Sequence, residues 1–262
     1  MIWHRKDYEA VLKRLLALVG STEVVEVVTD FEAALWLAVR SVLPRVNLCG
    51  CYFHFTQAIF KKVQKIGLKD AYVTDPGTRE LCKSLMALPL VPLEYILTVF
   101  DQLVVEVEKT DDITKCKELV EYFRKTWLHT TLFCKEHWCW FNQSIRTNND
   151  VEGWHTKLNR KGAKLSLYDL IRVLGREAND VNTTVELVRH ERLSRKQTFK
   201  TKACEKTINE FWQSYIAQEI GPRRLLFKLS NKMKPSVTWV FPTDHDNAED
   251  PHHDQVNLKT SI

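Results

Sequence analysis

No apolar run in this 262-residue chain reaches the roughly 20 residues needed to cross a bilayer. His4, Arg5, Lys6, Asp7 and Glu9 stand where a signal peptide would need apolar residues. Seven cysteines, at 49, 51, 82, 116, 134, 139 and 204, form an odd set that lacks the dense spacing of a secreted scaffold. There is no internal repeat and no separate zinc-finger or helix-turn-helix module. These absences exclude a membrane span, a disulfide-stapled secreted domain and a solenoid. They predict an intracellular protein with free thiols, and neither a membrane partner nor a small-molecule cofactor is expected.

What is present is ordinary in bulk and uneven in detail. Hydrophobic residues make up 44% and charged residues 27%, as in a soluble globular chain able to bury a core. The net charge of +5 gathers late. Gly153 to Lys234 holds eighteen Lys and Arg against eight Asp and Glu, whereas the first 152 positions are nearly balanced. A basic C-terminal third suits a polyanion such as nucleic acid, although a solvated helical surface accounts for the same excess.

Periodicity gives the elements. Tyr8, Val11, Leu12, Leu15 and Val19 predict an amphipathic helix over about residues 5–19, ended by Gly20. Val24 to Val28 reads as a short β-branched buried strand, with Asp30 just past its end. Phe31 to Leu43 is helical and apolar nearly all round, and Val46 to Gly50 is a second strand. Helix, strand, helix, strand is an α/β unit with parallel strands, and ligands gather at the carboxyl ends of such strands. From Phe55 to about Phe141 the pattern is helical, with a turn at Asp75-Pro76-Gly77 and a break at Thr110-Asp111-Asp112. Ser166 then caps a long helix whose apolar seam, over 166–191, can hold a partner helix from this chain or from another copy in a homo-oligomer. Ile208, Phe211, Trp212, Tyr215 and Ile216 mark another helical face ending at Gly221-Pro222, and the polar, acidic stretch after Pro235 reads as a disordered tail.

The stretch from Arg146 to His155 has loop chemistry on one side and helix on the other. Thr147 and Asp150 make a capping box, so a helix starts near Asn148. Val151, Trp154 and Leu158 share an apolar face, while Glu152, His155, Thr156 and Asn159 share a polar one. Glu152 is either a first-turn acid favoured by the helix dipole or a carboxylate kept charged by a metal ion or cationic partner.

"TDFEAA" at 29–34, "CYFHF" at 51–55 and "RTNNDVEGWH" at 146–155 resemble, in that order, motifs of the Mutator-like (MULE) transposases. The resemblance covers roughly Tyr8 to Leu193. It implies a ribonuclease-H-like core with an Asp-Asp-Glu site for Mg²⁺ or Mn²⁺, metal-dependent DNA strand transfer, DNA as partner and a nuclear location. Asp30 is then the second Asp of the triad and Glu152 its Glu, both metal ligands. Read without the resemblance, Asp30 is a helix N-cap before Phe31, and the two roles are compatible. The first Asp of the family lies on an upstream strand, and nothing before Tyr8 supplies it; Asp7 stands at a helix start. The expectation is therefore an N-terminally truncated transposase or a host protein derived from one, catalytically inert alone, with an unpaired apolar edge on its first strand. The alternative is a domesticated, non-catalytic DNA-binding or protein-interaction module.

The expected fold class is α/β, mostly helical: a partial ribonuclease-H-like core with two parallel strands, an all-helical insertion and a helical C-terminal part. The expected divisions are 1–54 for the partial core, 55–141 for the insertion and 142–193 for the core's continuation. A helical extension over 194–234 and a tail over 235–262 follow. Arg146, Lys157, Arg160, Lys161 and Lys164 flank the acidic helix and are the expected DNA contacts. Cys51 and His54 form a C-x-x-H, repeated by Cys134 and His137 with Cys139 alongside. These are either the two halves of a Cys₂His₂ zinc site or half-buried pairs packing under aromatics.

Overall fold

A computed structural model of the chain describes residues 3–20, 24–143, 166, 168–169, 171–177 and 199–232. The chain divides into two compact units, one formed by residues 1–147 with 208–262 and the other by residues 148–207. In the second unit, the Ser166 hydroxyl accepts the backbone N–H of Asp169 at 3.2 Å and donates to its carboxylate at 2.7 Å, which is the capping expected of it. Residues 171–177 follow as helix. The seam beyond residue 177 and the acidic tail after Pro235 lie outside the described residues.

The first unit opens with α1 (Arg5–Val19), ended by Gly20 in a positive-φ conformation (φ 80°). Next come β1 (Glu26–Thr29), α2 (Ala33–Val42) and β2 (Asn47–Gly50). The strands are parallel and in register from Glu26 opposite Asn47 to Thr29 opposite Gly50, forming a two-stranded sheet. Among the described residues no third strand pairs with either edge. Val25, just ahead of β1, is exposed, as are Leu15 and Leu18 on α1.

Helices make up the rest of the unit: α3 (Tyr52–Lys65), α4 (Lys69–Thr74), α5 (Pro76–Ala87), α6 (Ile96–Glu106) and α7 (Ile113–Phe123). The wider turns of a π-helix, Arg124–Leu128, extend α7. Two further helices follow in the chain, α8 (Phe199–Ile216), which belongs to this unit from Ile208 on, and α9 (Pro222–Lys232). The mostly helical α/β class is as the sequence predicts. No helix among the described residues is long and apolar enough to cross a membrane.

One hydrophobic core runs through this unit, from Phe31 and Trp36 through Phe55, Phe123 and Trp127 to Trp138, Trp212 and Leu229. It crosses the division expected after residue 54. The Phe31 ring meets Trp127 edge-on at 4.7 Å and Phe133 at 5.4 Å, and Phe55 stacks on Trp138 at 5.2 Å. The α/β segment and the helices therefore share their largest buried side chains. Each such ring contributes a few kcal/mol of burial, with about 0.5–1.5 kcal/mol more from ring-on-ring geometry.

Pro76 is tolerated at the start of α5 because the first-turn N–H groups have no helical partners anyway. The Asp75 carboxylate, buried to within 6% of full cover, accepts the N–H of Gly77 at 2.9 Å and of Thr78 at 2.7 Å. It also takes the Thr78 hydroxyl and the N–H of Asp111, tying α5 to the turn before α7. These bonds, led by the Thr78 hydroxyl, hold its carboxyl down to about 2. A carboxyl lowered in the folded state stabilises the fold above its ordinary value near 4 and stops doing so as pH falls towards 2. Asp75→Ala is expected to cost about 1–2 kcal/mol at neutral pH by loss of the cap. In urea unfolding across pH 2–5, Asp75→Asn should flatten the acid-side decline of stability relative to the unaltered chain.

Candidate functional site

At the carboxyl ends of two parallel strands the chain must leave the sheet, and side chains there face a common rim. The Cys51 N–H donates to the Thr29 carbonyl at 2.6 Å, so the ladder continues one step past Gly50. Asp30 and Cys51 are thus the first residues beyond their strands, at the same level of the sheet. Cys51 is fully buried and stands at the N-cap of α3, whose first turn carries His54.

Asp30 is partly buried. Its carboxylate accepts the Thr29 hydroxyl at 3.2 Å, and its backbone carbonyl accepts the Trp36 indole N–H at 2.6 Å. The residue at the N-cap of α2 is Glu32, not Asp30, and no side chain caps that helix. The capping role that Asp30 could have had is therefore absent: the chain takes two more residues to turn from β1 into α2. Glu32 accepts the Tyr8 hydroxyl through both carboxylate oxygens, at 2.9 and 2.8 Å. Burial, the Glu32 hydrogen bond and the charges of Glu32 and Asp30 all push the Tyr8 phenol upward, so it remains a donor throughout the physiological range. Among the described residues neither Asp30 nor Glu32 forms an ion pair. Tyr8 and Glu32 did not stand out in the sequence, because the contact joins residues 24 positions apart through the packing of α1 on α2.

The other C-x-x-H has its own partners. Arg40 donates to Nε2 of His137 at 2.7 Å and to the Leu132 carbonyl at 2.9 Å, with the His137 ring against Trp36 at 5.4 Å. Burial first, and then Arg40, holds the imidazole below its usual value, which keeps it neutral with Nε2 as acceptor. That lone pair is the one a metal would need. Cys134 donates to the Thr131 carbonyl and Cys139 to the Val91 carbonyl. Among the described residues no three His, Cys, Asp or Glu side chains come together as a metal-binding group. None of the seven cysteines forms a disulfide, and burial pushes Cys49 up to about 11.

Of the predicted site residues, Asp30, Cys51 and His54 are thus gathered at one end of the sheet. Glu152 lies outside the described residues, as do Arg146, Lys157, Arg160, Lys161, Lys164 and the remainder of the 144–165 stretch. Compared with protein-family models, with curated proteins and with solved structures, the chain has no match in any of the three.

Position 50, the last of β2, has room only for glycine because the Phe31 ring lies over it. A Cβ at this position would fall 2.1 Å from the far edge of the Phe31 ring, inside any permissible contact. Gly50→Ala is therefore expected to destabilise the fold by about 1–3 kcal/mol, the usual cost of overpacking. Combining it with Phe31→Leu, which shortens the side chain, should recover part of that loss in a urea-denaturation double-mutant cycle.

Proposed function

We propose that the chain is transposase-derived, built on a metal-dependent DNA strand-transfer enzyme of the Mutator-like kind, with Asp30 and Glu152 as two of its metal-binding carboxylates. The observation that carries this reading is Asp30 itself. It is a carboxylate just beyond the carboxyl end of a parallel strand, released from helix capping, without an ion pair among the described residues and level with the Cys51–His54 segment. A ribonuclease-H-like core would put an acid there. Hard carboxylate oxygens suit Mg²⁺ or Mn²⁺, and Asp30 fits as one such ligand. When bound, a pair of such ions activates the attacking oxygen and stabilises the leaving one.

This chain's own residues then divide the work. The Trp36 indole, bonded to the Asp30 carbonyl, fixes the backbone from which the carboxylate projects. Tyr8 shares its hydroxyl between the two oxygens of Glu32 and so holds that acid towards α1. Arg146, Lys157, Arg160, Lys161 and Lys164 supply positive charge for a phosphate backbone, with binding that weakens steeply as salt rises. A DNA partner makes the nucleus the proposed location.

With two of the three expected carboxylates, these 262 residues are expected to bind Mn²⁺ and duplex DNA without cutting it. Mn²⁺ titration followed by electron paramagnetic resonance should show binding weakened about tenfold or more by Asp30→Asn or Glu152→Gln, as losing one ligand in a small set requires. A nicking assay in Mg²⁺ or Mn²⁺ should show no turnover. Cutting abolished by Glu152→Ala would overturn the inert reading. DNA binding with no Mn²⁺ dependence would favour the alternative, a domesticated, non-catalytic DNA-binding or protein-interaction module.

A further inference from the structure

A cavity of about 650 Å³ opens between α5, α6 and α9, none of which contributes a residue to the strand-end cluster. Its floor is apolar, made by Leu81, Leu103, Leu226 and Phe227, and Phe227 is 44% exposed beside it. A cavity of this size with an apolar lining and a few polar groups is what small-molecule sites look like.

The polar groups are arranged for an anion. Glu106 lies within 2.5 Å of both Lys109 and Arg223 and is neutralised by them. Arg224 has no carboxylate partner among the described residues, and Glu80 is the other acid of the lining. Three cations therefore face two carboxylates. α9 opens at Gly221, whose carbonyl accepts the Leu225 N–H at 2.9 Å and which has no side chain to cap the helix. An N-terminus ordinarily attracts acids into its first turn, yet this one holds none and carries Arg223 and Arg224 instead. An anion at the mouth would meet unpaired N–H groups and guanidinium together.

A second feature is independent of that charge. Gln102 also lines the cavity, and its amide oxygen is buried with no hydrogen-bond partner. A buried acceptor without a donor is costly to keep. The last torsion of a glutamine is soft, so the amide can turn to meet a donor brought in by a ligand.

We infer that the cavity between α5, α6 and α9 is a binding site for a small apolar acid. Such a ligand has a hydrophobic body on Leu103 and Leu226, an anionic group at Arg224 and the start of α9, and an N–H or O–H donor for Gln102.

The probe 1-anilinonaphthalene-8-sulfonate carries all three groups, and its neutral counterpart N-phenyl-1-naphthylamine lacks only the anion. Fluorescence and calorimetric titration of the full chain with the sulfonate should give saturable one-to-one binding. The neutral compound should bind about tenfold more weakly, one charged interaction's worth. Gly221→Asp places a carboxylate at an open position where an added Cβ meets nothing within 4 Å. It should cap α9 and leave Tm unchanged or higher, while weakening sulfonate binding about tenfold or more. Arg224→Gln, on the exposed face of α9, should weaken it in the same direction, and Leu103→Trp should abolish it by filling the floor. The inference is overturned if the sulfonate binds non-saturably or at many sites, if it does not bind, if the neutral compound binds as tightly, or if Gly221→Asp and Arg224→Gln both leave binding unchanged.

Discussion

The Phe31 ring laid over Gly50 is the contact on which the first unit depends. It joins the second residue of the β1–α2 turn to the last residue of β2. From that point the same ring reaches Trp36 at 5.9 Å, Trp127 at 4.7 Å and Phe133 at 5.4 Å. A two-stranded sheet is too small to be stable alone. Here one face is covered by aromatic side chains from helices distant in sequence, and the α/β segment becomes part of a single core. The ring stands next to Asp30, at the end of the sheet where Thr29 pairs with Gly50.

Tryptophan supplies the polar half of the same arrangement. Chain segments that leave a sheet or helix inside a core leave carbonyls without partners, and these must be met. Trp36 meets that of Asp30, Trp140 that of Gly50 at 3.1 Å and Trp212 that of Leu90 at 2.9 Å. Each indole buries a large apolar surface and donates one hydrogen bond, which suits it to the junction of a core and a chain turn. Trp127 is the exception, for its indole nitrogen is buried without an acceptor. It stands at the π-helix after α7, where the backbone has already departed from regular geometry.

The local elements were legible because their signals are local. The 3.6-residue spacing and Gly20 bounded α1, and the β-branched run located β1 to within two residues. Ser166 capped as its residue type predicts. The shared core was not legible, since helical periodicity says that a face is buried but not against what. Nor was α9: Gly221-Pro222 reads as a terminator when the preceding helix is considered, and it is equally a helix start, with Pro at the first position. The choice between cap and strand-end acid for Asp30 was open in sequence, because both place an Asp before an apolar helix. The cap is removed by two extra residues of turn, which put Glu32 at that position and leave Asp30 to Thr29.

That pair of acids sets the electrostatics of the strand end. Glu32 shares the single Tyr8 hydroxyl between its two oxygens, at 2.9 and 2.8 Å, whereas Asp30 has one longer bond from a hydroxyl. A partly buried carboxylate costs little while water reaches it. Covering the same carboxylate with nucleic acid or another protein surface removes that water, and the charge must then be matched by a cation or lost to protonation. On the proposed reading, the metal requirement at Asp30 is therefore tied to the covering of the site. The ion binds most tightly when the polyanion is already in place, because each neutralises what the other exposes. Tyr8, as a permanent donor to Glu32, confines that demand to Asp30 and keeps the neighbouring acid out of the exchange.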